Sequence, residues 1–344
     1  ERAIPEMGDV QRALTDDQVL LEFFVGNEEA YAFALRRDKS LFLQLNQSAS
    51  NVNSSVRAFR DLLLRGKTSP ENELWKGPAS FLFRTLVQPF IARGFLKEGD
   101  HLIISPHARL HEVPFACLMD SGGRLLVERY TVSYVPTASS ILLQRGTTEP
   151  TTFLAFVPDT KSLPFAEQEV AGVPSRLFAS YKAQRNDEAS ASELIQRAQG
   201  FDVIHIAAHG SMHRWDPLFS HLRLSDGPFE LYKILDLKLS ARLVVLSACE
   251  TGYGVGMMGD IAQGHEVVSF PQAFLSAGAS AVIAPLWVVE DEATSHLMAY
   301  FYSHLALMKQ PDHSLPPGSF ARSLAIAQSR FAREAEQRRG KSHP

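Results

Sequence analysis

Cysteine is scarce in this chain. Only Cys117 and Cys249 occur in 344 residues. Two thiols exclude a disulfide-rich scaffold and a structural zinc site built on cysteines, and they make a reducing, cytoplasmic compartment the default. Long apolar runs are also missing. The longest, residues 277–289, contains Pro285 and ends in acids, and a bilayer span needs roughly 18 apolar residues. No membrane association is therefore expected, and no secretory leader is readable. A net charge of −4 gives no global attraction to nucleic acid or anionic lipid. No short-period repeat, low-complexity tract, metal motif or cofactor motif stands out. The first residue is Glu1 rather than Met, so residues 1–16 are expected to be a lead-in from an upstream region.

What is present is an ordinary globular composition, 45% hydrophobic and 21% charged, enough for two domains with their own cores. In residues 17–148, alternating runs around Gly26-Asn27 predict a hairpin over residues 19–24 and 30–35, with a third strand at 41–45. Helical spacing covers residues 52–64 and 79–95. A buried strand is expected at 101–105, a β-rich edge over 125–135 and a short helix at 137–144. The polar stretch 146–152, bearing Pro150, reads as a linker.

In residues 149–336 strands alternate with helices, which means a parallel sheet with helices on both faces. Strands are expected at 153–157, 203–207, 243–246 and 281–284. Helices are expected at 166–177, 190–199, 231–236, 267–277, 293–307 and 319–336, with Ser190 as an N-cap. Residues 337–344 read as a solvated basic tail.

Two of these strands end in reactive side chains. Residues 201–210 read FDVIHIAAHG and residues 241–252 read ARLVVLSACETG. The carboxyl ends of parallel strands are where ligands and chemistry gather. His209 and Cys249, delivered to one edge, make a base and a nucleophile. Gly210, with no Cβ, lets a substrate carbonyl approach its backbone N–H, and the N–H of Cys249 supplies a second oxyanion donor. Cys117, in VPFACL, reads as a packing residue, and His205 as a satisfied core or cleft-floor histidine. Glu290, Asp291 and Glu292 read either as a favourable acidic helix start or as a pocket wall.

These motifs carry a family resemblance. HIAAHG and LSACETG, the intervening DPLFSHLRLSDG, and QAFLSAGASAVIAPLWVVEDEAT are similar to the CHAT family of caspase-like cysteine peptidases. HLIISPHARLHEVPFACL, LLVERYTVSYVPTAS and LPFAEQEV extend the likeness upstream. The resemblance implies a caspase-like catalytic domain preceded by a smaller α/β, pseudo-protease-like domain. It implies His209 and Cys249 as the catalytic dyad, with no third acid required. It implies Ser247 and Asp291 in the primary specificity pocket, Asp291 receiving a basic side chain. It further implies a protein substrate and control by an upstream TPR-type sensor or an activating partner. Residues 252–266 depart from the family, with GHE in place of a GEG-like segment and a long loop, which puts substrate preference and basal activity in question. Two other readings stay open: a catalytically silent scaffold that binds partners, and a cysteine amidase acting on a small molecule.

Overall fold

The computed structural model describes residues 5–65, 73–143, 150–213, 215–247, 269–287, 289–310 and 314–341. The chain divides into two compact units, residues 1–144 with 324–344, and residues 145–323.

The first unit holds a five-stranded sheet. Apolar residues at alternate positions build β1 (Gln18–Val25), which pairs antiparallel with β2 (Ala30–Leu35), and β2 pairs with β3 (Ser40–Gln44). On the other side of β1 lie β4 (His101–Ser105) and β5 (Thr131–Tyr134), both parallel. A short helix α1 (Met7–Ala13) precedes β1. The long helices α2 (Ala49–Arg65) and α3 (Lys76–Leu86) contribute Val52, Val56, Phe59, Leu82 and Phe83 to the core. The expected helix over 79–95 breaks at Val87. Pro89 cannot donate to the preceding turn and opens α4 (Gln88–Ala92) as a separate piece. The expected β-rich edge is also corrected: Leu126–Glu128 is a 3-10 turn, and only β5 is a strand. Cys117 packs against this core, and burial pushes its thiol up to about 11, as suits an inert packing residue.

The second unit is built on five parallel strands. They are β6 (Thr152–Val157), β7 (Ser180–Arg185), β8 (Val203–Ile206), β12 (Leu243–Leu246) and β13 (Val282–Ile283), in the spatial order β13-β12-β8-β6-β7. β6, β8 and β12 are buried nearly throughout, so they read as continuous apolar runs. β7 has no such run. It is a polar edge strand, SYKAQR, and its charges protect the edge. A separate three-stranded antiparallel sheet joins β9 (His209–Ser211), β10 (His221–Leu224) and β11 (Gly227–Glu230).

Helices cover both faces of the parallel sheet. On one face α6 (Ala191–Arg197), α7 (Leu231–Leu235) and α8 (Phe270–Ser276) bring Leu194, Ile234 and Phe274 onto Leu154, Phe156, Ile204, Val244 and Leu246. Ser190 caps α6 by accepting from the Glu193 N–H, as expected. On the other face α5 (Pro164–Ala171) packs against α9 (Asp291–Met308). The helix expected over 166–177 stops at Ala171, followed by Gly172 and, two residues on, Pro174. Gly278 closes α8 at φ +112°, where a Cβ would fall 2.4 Å from the Leu239 carbonyl oxygen, so only glycine fits. The last helix, α10, runs Ser319–Lys341. Among the described residues no helix is long and apolar enough to cross a membrane.

At the amino ends of the parallel strands, the Asp202 carboxylate accepts from the backbone N–H groups of Thr151 (2.7 Å) and Thr152 (2.9 Å) and from both threonine hydroxyls. Burial pushes the Asp202 carboxyl up, but these donors outweigh it and hold it below its ordinary value. A lowered folded-state value means this stabilisation is present above the usual carboxylate range and fades as pH falls through the lowered value. Asp202→Ala is therefore expected to cost about 2 kcal/mol near neutrality, and the difference from wild type should shrink in acid. Urea unfolding at neutral and acid pH measures both.

Candidate active site

The parallel order gives the second unit a switch point. From β6 the chain steps first outward to β7, then back past β6 to β8 and on to β12. Crevices form at such points beyond the carboxyl ends of the strands. β8 and β12 leave this edge side by side, since Leu246 pairs with Ile206 and the Ser247 N–H bonds to the Ile206 carbonyl at 2.9 Å.

His209 lies at this edge, with one difference from the sequence reading. Residues 201–210 are not one strand. β8 ends at Ile206, and His209 and Gly210 belong to β9, paired with Arg223 and Leu222 of β10. The small residues Ala207 and Ala208 carry the chain from one sheet into the other. The His209 ring sits half-buried with Nε2 at 2.7 Å from the Ser162 hydroxyl. Ser162 belongs to the loop between β6 and α5, so the exits of β6 and β8 meet here. Asp159, in the same loop, accepts from the backbone N–H groups of Lys161 (3.2 Å) and Ser162 (3.0 Å). The Ser162 side chain close by and these backbone donors hold the Asp159 carboxyl below its ordinary value.

Asp291 is the first residue of α9, and Glu290, Asp291 and Glu292 form the acidic helix start that suits the dipole. Its Oδ2 accepts from the Phe165 N–H at 2.8 Å, so it also caps α5. Burial pushes the Asp291 carboxyl up. The Phe165 hydrogen bond opposes that shift, the neighbouring Glu169 charge adds to it, and His209 opposes it. Asp291, Glu169 and His209 thus share one electrostatic neighbourhood.

Beneath the edge lies a buried polar cluster. His205 is fully buried; its Nδ1 meets the Tyr302 hydroxyl at 2.7 Å and its Nε2 meets Glu169 Oε1 at 2.9 Å. The Ser247 hydroxyl donates a short hydrogen bond to the same Glu169 oxygen and lies 3.3 Å from His205 Nε2. Glu169 is 1% exposed, and its second oxygen, Oε2, has no hydrogen-bond partner among the described residues. His205 is thereby the satisfied core histidine expected. Ser247, expected as a pocket residue, turns its hydroxyl into this cluster.

Cys249, Glu250 and residues 252–266 lie outside the described residues. Among the described residues the structure gathers His209, Ser162, Asp159 and Asp291 at the edge, with Ser247, Glu169 and His205 below. Sequence reasoning assigned no role to Ser162, Asp159 or Glu169. Glu169 left a signal, as a carboxylate beside Val170 on the buried face of α5. Asp159 left one in its spacing to Ser162 ahead of Pro164, a turn pattern. Among the described residues no group of three His, Cys, Asp or Glu side chains could hold a metal ion.

Tyr302→Phe keeps the ring and removes the hydroxyl that His205 Nδ1 uses. It should cost about 1–2 kcal/mol, read as a lowered midpoint in urea unfolding.

The CHAT domain model matches residues 76–340. No curated protein matches the chain significantly. Two crystal structures of the Saccharomyces cerevisiae separase–securin complex are similar in fold. One gives a TM-score of 0.58 at 10% identity over 94% of this chain and 30% of that one. The other gives 0.52 at 11% identity over 94% and 29%. The chain therefore spans under a third of the separase chain it resembles. The Arg-specific cysteine proteinase gingipain R also matches, with a TM-score of 0.47 at 10% identity over 83% of this chain and 71% of that one. The fold is caspase-like, mixed α/β with a parallel sheet between helices, and with the family model covering most of its length the chain belongs to the CHAT-domain family.

Proposed function

We propose that the chain is a cysteine endopeptidase that cleaves a protein substrate through a Cys249–His209 dyad. One observation carries the reading: His209 sits at the switch-point edge where β12 also exits, and Cys249 follows two residues after Ser247 in the sequence.

In this mechanism His209 takes the thiol proton and the Cys249 sulfur attacks the peptide carbonyl carbon. The backbone N–H groups of Gly210 and Cys249 hold the oxyanion. Collapse breaks the C–N bond, and His209 returns its proton to the leaving amine. The thioester is then hydrolysed: His209 takes a proton from water, the hydroxide adds to the acyl carbon, and the C–S bond breaks to release a carboxylic acid and the thiol.

Asp291 is the acid we assign to a basic residue before the scissile bond. Two features support it. Its carboxyl feels the charge of His209, and Glu169 adds a second acidic group whose Oε2 has no hydrogen-bond partner among the described residues. Ser247 contributes to the same pocket by holding Glu169. Asp291 also caps α5, so its charge and its structural duty must be separated by experiment. The separase structures contain securin, a protein partner, which supports control of the present chain by a partner or upstream sensor region. A cytoplasmic site of action fits the scarcity of cysteine.

Digestion of a diverse peptide mixture, with cut sites read by mass spectrometry, tests the reading. Wild type should cut after Arg or Lys, and Cys249→Ala should abolish every cut. Persistence of cuts in Cys249→Ala refutes the dyad. Asp291→Asn retains a cap for α5 and should lower cleavage after basic residues at least tenfold, with unfolding midpoints unchanged. Cuts after other residues that ignore Asp291 would keep the peptidase and discard the pocket assignment.

A further inference from the structure

One face of the first unit's sheet is covered at one end only. The pairing register fixes who stands on that face. Glu22 lies opposite Phe33 and Phe24 opposite Tyr31 across β1 and β2, and Phe33 lies opposite Phe42 on β3. Near the start of β1 the face is closed, where Leu20, Leu35 and Ile103 pack with Val10, Leu14 and Ile141. Beyond Leu20 the cover stops, and Phe24, Phe33 and Phe42 are 49%, 43% and 54% exposed. With Glu22, Tyr31 and His107 they line a crevice of about 530 Å³, and the chain leaving β4 and β5 contributes the rest of the lining. The crevice thus lies at the carboxyl ends of the parallel strands β1, β4 and β5, where α/β sheets take their ligands.

We propose that this crevice is a docking site for an arginine side chain on a segment of a partner protein, the guanidinium stacked on the rings and paired with Glu22. The proposal does not rest on the endopeptidase reading.

Cross-strand aromatic pairs stabilise a sheet by themselves, but they do not account for the acid. Glu22 is half-buried among the rings. Its hydrogen-bond partner among the described residues is the Ser105 hydroxyl, at a long 3.5 Å, and no ion pair of Glu22 occurs among them. A second carboxylate, Glu29, stands at the rim, accepting from the Tyr31 hydroxyl and from the Gln44 side chain at 2.9 Å. Among the described residues no Lys or Arg lines the crevice. Its one imidazole, His107, lies 4.6 Å from the Phe24 ring, and its Nδ1 accepts the Val25 N–H at 3.2 Å, so that atom carries no proton. The lining is therefore acidic and aromatic.

The complement of such a lining is a flat cation. Tyr31 and Phe42 stack at 5.7 Å and Phe33 lies 4.8 Å from Phe42, so the three rings form a continuous surface. Aromatic faces attract cations, and a guanidinium stacks on a ring while its N–H groups meet a carboxylate. Ring exposure decides what carries the cation. A small ligand is mostly enclosed by its site. Here about half of each outer ring stays open, which leaves room for a polypeptide to cross β3 with apolar neighbours covering the rings.

The test uses the full chain carrying Cys249→Ala, so that no probe is cut, labelled with para-fluorophenylalanine. The fluorine signals of Phe33 and Phe42 are assigned by their loss in Phe33→Leu and Phe42→Leu. The probes are acetyl-Gly-Leu-Arg-Leu-Gly-amide and the same peptide with citrulline, which keeps the shape and removes the charge. The arginine peptide should shift both signals, with half-saturation below about 5 mM. The citrulline peptide should bind at least about fivefold more weakly. Glu22→Gln should weaken the arginine peptide about threefold and leave the citrulline peptide unchanged, which also shows that the variant folds. Phe42→Leu, read at Phe33, should weaken the arginine peptide about threefold. Absence of shifts up to about 5 mM, equal binding of the two peptides, or arginine binding that ignores Glu22→Gln overturns the proposal.

Discussion

The contact between Glu169 and His205 is the constraint on which the carboxyl edge of the second sheet depends. Glu169 comes from α5, His205 from β8, Ser247 from the end of β12 and Tyr302 from α9, and all four side chains meet at one place. A carboxyl group this deep is tolerable because His205 and Ser247 both meet its Oε1, and each of these partners is fixed in turn by it. The cluster therefore ties two helices to two strands with polar geometry rather than shape alone. The chain leaving β8 starts from that fixed base, and Ser247 at the end of β12 is part of it. Within the cluster Glu169 Oε2 is left without a partner among the described residues, and the charge of Glu169 is felt by Asp291.

In the proposed reading Asp291 is shared between structure and recognition. Its charge favours the start of its own helix, its oxygen caps the neighbouring one, and its carboxyl is pushed up by burial. A group with so many duties has its position fixed to within a hydrogen bond. Positioning of that kind is what a specificity pocket needs, and it costs nothing extra when the fold already requires the contact.

Much of this was legible in the sequence, for identifiable reasons. β6, β8 and β12 are buried on both faces, so their apolar runs announce them. β7 was hidden because its edge sequence SYKAQR is polar, and Tyr181 packs on Phe153 without making a run. The transfer of His209 to a second sheet was hidden because Ala207 and Ala208 continue the apolar pattern past the true strand end. His205 was read correctly as a core histidine, yet its partner Glu169 was not, since their meeting depends on how α5 lies over the sheet. Ser162 and Asp159 carry no periodicity at all. The contact of Ser162 with His209 arises where the loop after β6 meets β9, and tertiary proximity of that kind leaves no local trace.

The Asp202 staple sits at the opposite end of the same strands. A strand of about five residues spans roughly 16 Å, beyond the range over which substitutions usually couple. The sheet thus insulates its anchorage from the rim at its carboxyl ends. A lineage can rewrite the loops at the rim, changing what is recognised, while the foundation stays intact, and the foundation can be strengthened without disturbing the rim.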